Sequence, residues 1–376
     1  MTQHNVFASA ETARAALNGQ HHLGNGTDGQ RERANGHDNA PIVRKLSYVR
    51  VNEIEDADIF DDELIEGVIG RIAMAVLYGD SNCGKTFLAV EMAARLSLAE
   101  DFLGRHTAGG VVLYLATEGV RSVKRRFRAW TKMHGRALPN VFIVQSPINL
   151  YDGAADVTAV LAVIDEIEAK TGSKVELVIG DTLARISAGA NENSGQDMGV
   201  VMRNAELIKE GARATFLWVH HSGKDAARGM RGWSGMRAAI DTEIEITVTE
   251  GTGARVAEAT KQRDLPGKGD RFGFELEFVA LACNQWGTTR GSCVVRPTDA
   301  PAKTHASKRR SEVAGAIEEF LTLRGAGCLK GALAKHFQGR YVRTSIYREI
   351  VKMIDSGELI EAGGIVTLPG RPGPVA

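Results

Sequence analysis

The sequence is short of several things, and each shortage excludes a class of protein. It has four cysteines in 376 residues, Cys83, Cys283, Cys293 and Cys328, at spacings that match no metal-ligand pattern. A disulfide framework or a zinc module is therefore not expected. Its apolar runs are far too short to cross a bilayer, and the N-terminus lacks the apolar core of a secretory signal. These absences lead us to expect a reduced, soluble, cytoplasmic protein with no membrane partner. Net charge is also missing, with 46 basic residues balancing 46 acidic ones, so no global field points to a polyanionic partner. No internal repeat is present, and no Asn-Lys-x-Asp string of the kind that selects guanine.

What is there begins with Gly79-Asp-Ser-Asn-Cys-Gly-Lys-Thr86, which fits the phosphate-loop pattern of Gly, four free positions, Gly, Lys and Ser or Thr. An apolar stretch from Ile72 to Tyr78 precedes it, and Phe87, Leu88, Val90, Met92, Ala93 and Leu96 follow at helical spacing. Strand, glycine loop and helix thus come in the order that phosphate binding requires. Gly79 and Gly84 let the backbone turn its N–H groups inward, and the helix N-terminus adds positive charge where phosphate oxygens sit. Gly79, Asp80, Ser81, Asn82, Cys83, Gly84, Lys85, Thr86 and Phe87 are the expected nucleotide contacts. Lys85 is expected to reach the β and γ phosphates and Thr86 to offer its hydroxyl to Mg²⁺. Cys83 stands at a free position where only smallness is required.

Around this loop, apolar runs alternate with amphipathic helices, the mark of a parallel α/β sheet. Strands are expected at 72–78, 110–116, 141–144, 175–180 and 214–220, followed by a β-rich stretch over roughly 240–296. The strand Val175-Glu-Leu-Val-Ile-Gly-Asp181 ends in a carboxylate suited to Mg²⁺. The strand from Val111 ends in Glu118, placed to orient or deprotonate a water. A third, Leu217-Trp-Val-His220-His221, ends in two histidines, of which one is expected to face the nucleotide and the other the core; His221 is the choice for the site. Lys224, Arg228 and Arg231 lie in the glycine-rich basic loop that follows, a composition that suits DNA phosphates and equally a solvated loop.

Residues 1–42 are rich in Gly, Asn, His and Gln and are expected to form a disordered tail. Residues 301–309 read as a linker, and from Pro301 onward 12 basic residues stand against 7 acidic ones, net +5, leaving 34 against 39 before it. Beyond the linker, helical segments at 310–323, 328–336 and 343–355 precede a hairpin turning on Gly363-Gly364, the pattern of a small winged-helix domain over 310–376. Ile346, Ile350, Met353 and Ile354 form one face of its last helix. That leaves Arg343, Tyr347, Arg348 and Lys352 for DNA or for packing on a partner. An earlier helix over 120–135 has a core stripe of Val120, Val123, Phe127 and Trp130, with Arg121, Arg125, Arg128 and Lys132 on a basic face of the kind that is commonly just solvated.

The ordered motifs GDSNCGKT, YLATEG, VIGDTL, LWVHHSGK and RGWSGMRAAID resemble those of RecA-superfamily ATPases of plasmids and phages, the group that includes RepA-like hexameric replicative helicases. The resemblance spans roughly residues 60–270. It implies a RecA-like P-loop domain over 43–300, ATP and Mg²⁺ as cofactors, a hexameric ring and single-stranded DNA in its channel. A replication initiator or primase is a further candidate partner. Carried over residue by residue, it gives Lys85 and Thr86 to phosphate and Mg²⁺, Glu118 to the attacking water, Asp181 to Mg²⁺ and His221 to sensing. Lys261-Gln-Arg263-Asp264 resembles the segment through which ring helicases present a Lys and an Arg to the neighbour's nucleotide, and reads equally as an exposed strand end. Gly180 departs from the bulky residue usual before the Mg²⁺ aspartate, which predicts a looser strand end. A filament-forming recombination ATPase and a nucleotide-gated DNA-binding regulator stand as rival readings.

Overall fold

A computed structural model describes residues 48–55, 62–223, 230, 232–249, 252–300, 312–355 and 357–369. The chain divides into two compact units, one ending at Pro301 and the other beginning at Ala302.

In the first unit a small hairpin, β1 (Glu63–Ile65) and β2 (Ile69–Gly70), leads into β3 (Met74–Gly79), all six residues of which are buried. The helix α1 (Lys85–Ser97) follows the glycine loop, then β4 (Val111–Ala116), α2 (Val120–His134) and β5 (Val141–Val144). Next come α3 (Ala155–Thr171), β6 (Val175–Asp181), the short α4 (Leu183–Ile186), α5 (Gly195–Ala212) and β7 (Thr215–His221). A short α6 (Ser234–Ala239) precedes four further strands: β8 (Thr242–Val248), β9 (Arg255–Gln262), β10 (Arg271–Cys283) and β11 (Thr289–Thr298).

Nine of these strands form one sheet in the order β11-β10-β9-β8-β3-β7-β6-β4-β5. From β8 to β5 the pairing is parallel, and from β8 to β11 it is antiparallel. The parallel half reads as continuous apolar sequence because helices cover both of its faces. On one face α3 and α5 bury Met74, Val76, Tyr78, Leu113, Val178 and Trp218; on the other α1 and α2 bury Ala75, Leu77, Tyr114, Ile179 and Val219. Among the described residues no helix is long and apolar enough to cross a membrane.

Gly180 corrects one expectation. A Cβ there would lie 3.0 Å from Ile186, 3.1 Å from Phe216 and 3.1 Å from Trp218. Three large side chains from α4 and β7 already fill the space a bulky residue would take. The strand end is therefore packed, and it is not loosened.

The second unit contains α7 (Glu312–Arg324), β12 (Cys328–Leu329), α8 (Lys330–His336), α9 (Arg343–Asp355), β13 (Ile360–Ala362) and β14 (Ile365–Thr367). Its strands pair antiparallel in the order β12-β14-β13, and its own core joins Ile317, Leu321, Leu333, Ile346, Ile350, Met353, Leu359 and Val366.

Candidate active site

The parallel strands β3, β4, β6 and β7 all point their C-terminal ends to one edge of the sheet, where loops can place side chains around a shared crevice. A cavity of about 530 Å³ opens there. Its lining includes Asn82, Lys85, Thr86, Glu118, Arg126, Asp181 and His221. Four strands and the α1 loop thus deliver groups that lie up to 140 positions apart in the chain, from Ser81 to His221.

The loop demands glycine at two points. At Gly79 a Cβ would collide with the Ile246 carbonyl oxygen and lie 2.8 Å from the Cys83 sulfur, so β8 and the loop can close on each other only over a bare backbone. At Gly84 φ is +111°, a conformation L side chains rarely adopt, and it opens α1. Lys85 is 6% exposed; its Nζ donates to the carbonyls of Gly79 (2.9 Å) and Asp80 (2.7 Å) and lies 3.5 Å from His221 Nδ1. The ammonium therefore rests on the loop's own carbonyls, close to where the cavity begins. The Asp80 side chain turns away to accept a hydrogen bond from Ser222.

Asp181 is 2% exposed at the end of β6, and the buried Tyr114 donates to its Oδ2 at 2.6 Å. Burial raises its pKa above the ordinary carboxylate value. The Tyr114 and Thr86 hydroxyls and the Arg126 charge oppose that shift, while Glu118 adds to it. A carboxylate beside a threonine hydroxyl is a hard oxygen pair. It fits Mg²⁺, which keeps several waters and takes one or two carboxylates together with substrate phosphates. Among the described residues no three His, Cys, Asp or Glu side chains converge. Glu118, exposed in the cavity wall, accepts a hydrogen bond from Thr182 at 2.9 Å. His220 is buried, whereas its neighbour His221 lines the cavity, because successive strand residues point to opposite faces.

Two residues enter that sequence reasoning missed. Arg126 lines the cavity, its guanidinium 4.5 Å above the Phe87 ring, and its buried Nε has no hydrogen-bond partner among the described residues. A buried, unsatisfied donor aimed at a polar void is a group prepared for an anion. The signal was present: Val123, Arg126, Phe127 and Trp130 stand at i, i+3, i+4 and i+7, so an arginine occupies a core place in an apolar stripe. Tyr114 offered no such signal, since its partner depends on how β4 registers against β6.

Not every expected residue joins this cluster. Gln262 pairs with Thr242, and Thr242 with Ala75, so Lys261 and Arg263 lie at the opposite edge of the sheet, about 13 Å along the strands from Gly79. There Lys261 Nζ donates to the carbonyls of Arg237 and Ile240, each at 2.5 Å, and Arg263 pairs with Asp241 at 2.5 Å. Lys224, Arg228 and Arg231 lie outside the described residues. In the second unit Arg343 and Arg348 are exposed on α9, with the Arg343 guanidinium 5.8 Å from the Tyr347 ring.

A buried parallel strand, a glycine loop and a lysine-led helix, with the Asp181 carboxylate at the end of β6 two strands away in the sheet, define a phosphate-loop nucleotide-binding domain of the α/β class. Residues 43–227, just under half of the chain, match the family model described as the AAA domain. Among solved structures, a KaiC-like protein from the hyperthermophilic archaeon Pyrococcus horikoshii OT3 is similar at 16% identity and a TM-score of 0.41, over 63% of this chain and 94% of that one. No curated protein matches the sequence.

Proposed function

We propose that the protein is an ATP-hydrolysing, DNA-dependent motor that works as a ring-shaped helicase or translocase in plasmid or phage replication. The observation that carries the hydrolytic part is the convergence of Lys85, Thr86, Glu118, Asp181 and His221 on one cavity at the C-terminal edge of the sheet. Mg²⁺, when bound, would neutralise charge on the phosphates. Asp181 and Thr86 would hold it. Lys85 leaves the Gly79 and Asp80 carbonyls for the phosphate oxygens, exchanging neutral acceptors for charged ones. Glu118 receives the proton of the attacking water or fixes its orientation, and Thr182 holds that carboxylate in place. His221, adjacent to both Lys85 and the start of the basic loop, reports the phosphate state to that loop.

Ring assembly is suggested by where the candidate trans-acting pair Lys261 and Arg263 sits. Of the β9 cations, Arg255 donates to the Cys83 carbonyl at 3.2 Å beside the glycine loop, whereas Lys261 and Arg263 sit at the other sheet edge, and a second copy is the means by which those two arrive. The DNA-dependent part is supported by the basic loop after His221 and by the exposed arginines of the second unit, which we read as a winged helix. ATP turnover by the full chain with and without single-stranded DNA tests the reading. A several-fold stimulation by single strands supports a motor. Turnover indifferent to DNA, or stimulated only by one duplex sequence, supports the rival of a nucleotide-gated regulator.

A further inference from the structure

The glycine loop is backed from behind by the antiparallel half of the sheet. Arg255, the first residue of β9, stands opposite Val248 of β8 on one side and Phe274 of β10 on the other. Its Nη1 donates to the Gly253 carbonyl at 2.9 Å and its Nε to the Cys83 carbonyl at 3.2 Å, a contact across 172 positions of sequence. The guanidinium thus joins the β8–β9 turn to the glycine loop. A Cβ on Gly84 would lie 3.2 Å from Arg255 Cδ and 3.3 Å from the buried Phe274 ring. Gly84 therefore has the cavity on one side and these two side chains on the other.

The bond to Cys83 decides which way the next donor points. The peptide between Cys83 and Gly84 is trans, so its carbonyl and its N–H point in opposite directions. A carbonyl held back on Arg255 turns the Gly84 N–H away from Arg255, toward the cavity that Gly84 lines. Glycine populates positive and negative φ about equally, so Gly84 at φ +111° does not by itself fix that orientation. Arg255 supplies what the glycine lacks. Its charge also polarises the peptide it holds, which makes the N–H a stronger donor.

We propose that Arg255 is a positioning residue for the glycine loop: it holds the Cys83 carbonyl so that the Gly84 N–H meets a polyphosphate oxygen in the cavity. The inference rests on the nucleotide-binding part of the proposed function and adds a residue to it. Arg255 stands behind the loop, outside the cavity lining, and acts on the ligand only through the peptide. The Gly84 contact forms when the phosphate binds and persists through the reaction, so its loss raises KM and leaves kcat nearly unchanged.

Two variants of similar shape in the full chain separate the hydrogen bond from the packing. Arg255→Met fills the space behind Gly84 without a donor, whereas Arg255→Gln puts an amide nitrogen where Nε now stands. Displacement of a fluorescent ATP analogue by ATP and by inorganic tripolyphosphate, both with Mg²⁺, reads the phosphate cradle with and without the nucleoside. Arg255→Met should weaken both competitors about tenfold and raise KM for ATP in step, with kcat within about threefold and an unchanged melting temperature. Arg255→Gln should return both affinities to within about threefold of wild type. Wild-type affinities in Arg255→Met overturn the proposal, as does an Arg255→Gln no better than Arg255→Met. Weakened ATP with undiminished tripolyphosphate also overturns it, since that result puts Arg255 against the nucleoside. Where Arg255→Met does not fold, Arg255→Gln decides alone: near-wild-type affinities support the proposal, and a loss of about tenfold overturns it. Wild-type protein that binds neither ATP nor tripolyphosphate overturns the nucleotide reading itself, a different result from failure of this bond alone.

Discussion

The two edges of the central sheet treat their charged groups in opposite ways. At the C-terminal edge of the parallel strands, Lys85, Arg126, Asp181, Glu118 and His221 surround a cavity, and one buried donor, Arg126 Nε, has no partner among the described residues. At the other edge Lys261 and Arg263 are held on carbonyls and on Asp241, with their donors engaged inside the chain. One edge is prepared for a ligand that is not part of the protein. The other is quiet in a single copy and has to release existing bonds before it can serve any site. The comparison teaches that one sheet can leave charged groups facing a cavity at one edge while satisfying them within the chain at the other.

Glu118→Gln offers the largest expected effect on the cavity side. It keeps the hydrogen-bonding shape and removes the base, so ATP binding should survive while turnover falls by up to about 10⁴-fold. Wild-type hydrolysis in stopped-flow phosphate release would remove Glu118 from that role. Lys85→Ala comes next: loss of the ammonium held at the glycine loop should cost about 10³-fold in turnover and weaken binding of a fluorescent nucleotide. Arg126→Ala separates a site residue from a merely packed one. If its free Nε meets phosphate, turnover drops roughly tenfold to a hundredfold with little change in melting temperature. A large fall in melting temperature with normal turnover would show a structural role.

Tyr114→Phe is the smallest and the most diagnostic of geometry. Only the hydroxyl that donates to Asp181 is lost, about 1 kcal/mol of positioning. The expected result is an apparent Mg²⁺ affinity lowered about fivefold, by magnesium titration of nucleotide binding, at near-normal saturating turnover. An unchanged magnesium titration would mean that Asp181 needs no such anchor.

The sequence made some of this plain and hid the rest for physical reasons. Buried parallel strands must be apolar on both faces, so β3, β4, β6 and β7 stand out as runs of Val, Ile and Leu, and their last residues mark the sheet edge that Glu118, Asp181 and His221 share. The alternation in β8 and β10 was legible too, but the strand order was not, because it depends on which edges pair and not on any local pattern. Tyr114 and Gly180 were opaque for the same reason. The partner of one and the packing around the other come from strands and helices distant in sequence. Arg126 was legible in principle, hidden among five other cations on one helix.

The central claim is that the quiet edge of one copy completes the cavity of another. Its most direct test mixes two inactive variants, Lys85→Ala and Arg263→Ala, and measures ATP turnover. Arginine supplied across a subunit boundary is worth roughly 10³ to 10⁵ in rate in related phosphoryl-transfer systems, so each variant alone should be nearly silent. In the mixture, an intact glycine loop from one copy can meet an intact Arg263 from the other, and turnover should return to a measurable fraction of wild type. Two variants that co-assemble and still show no recovery would contradict the claim.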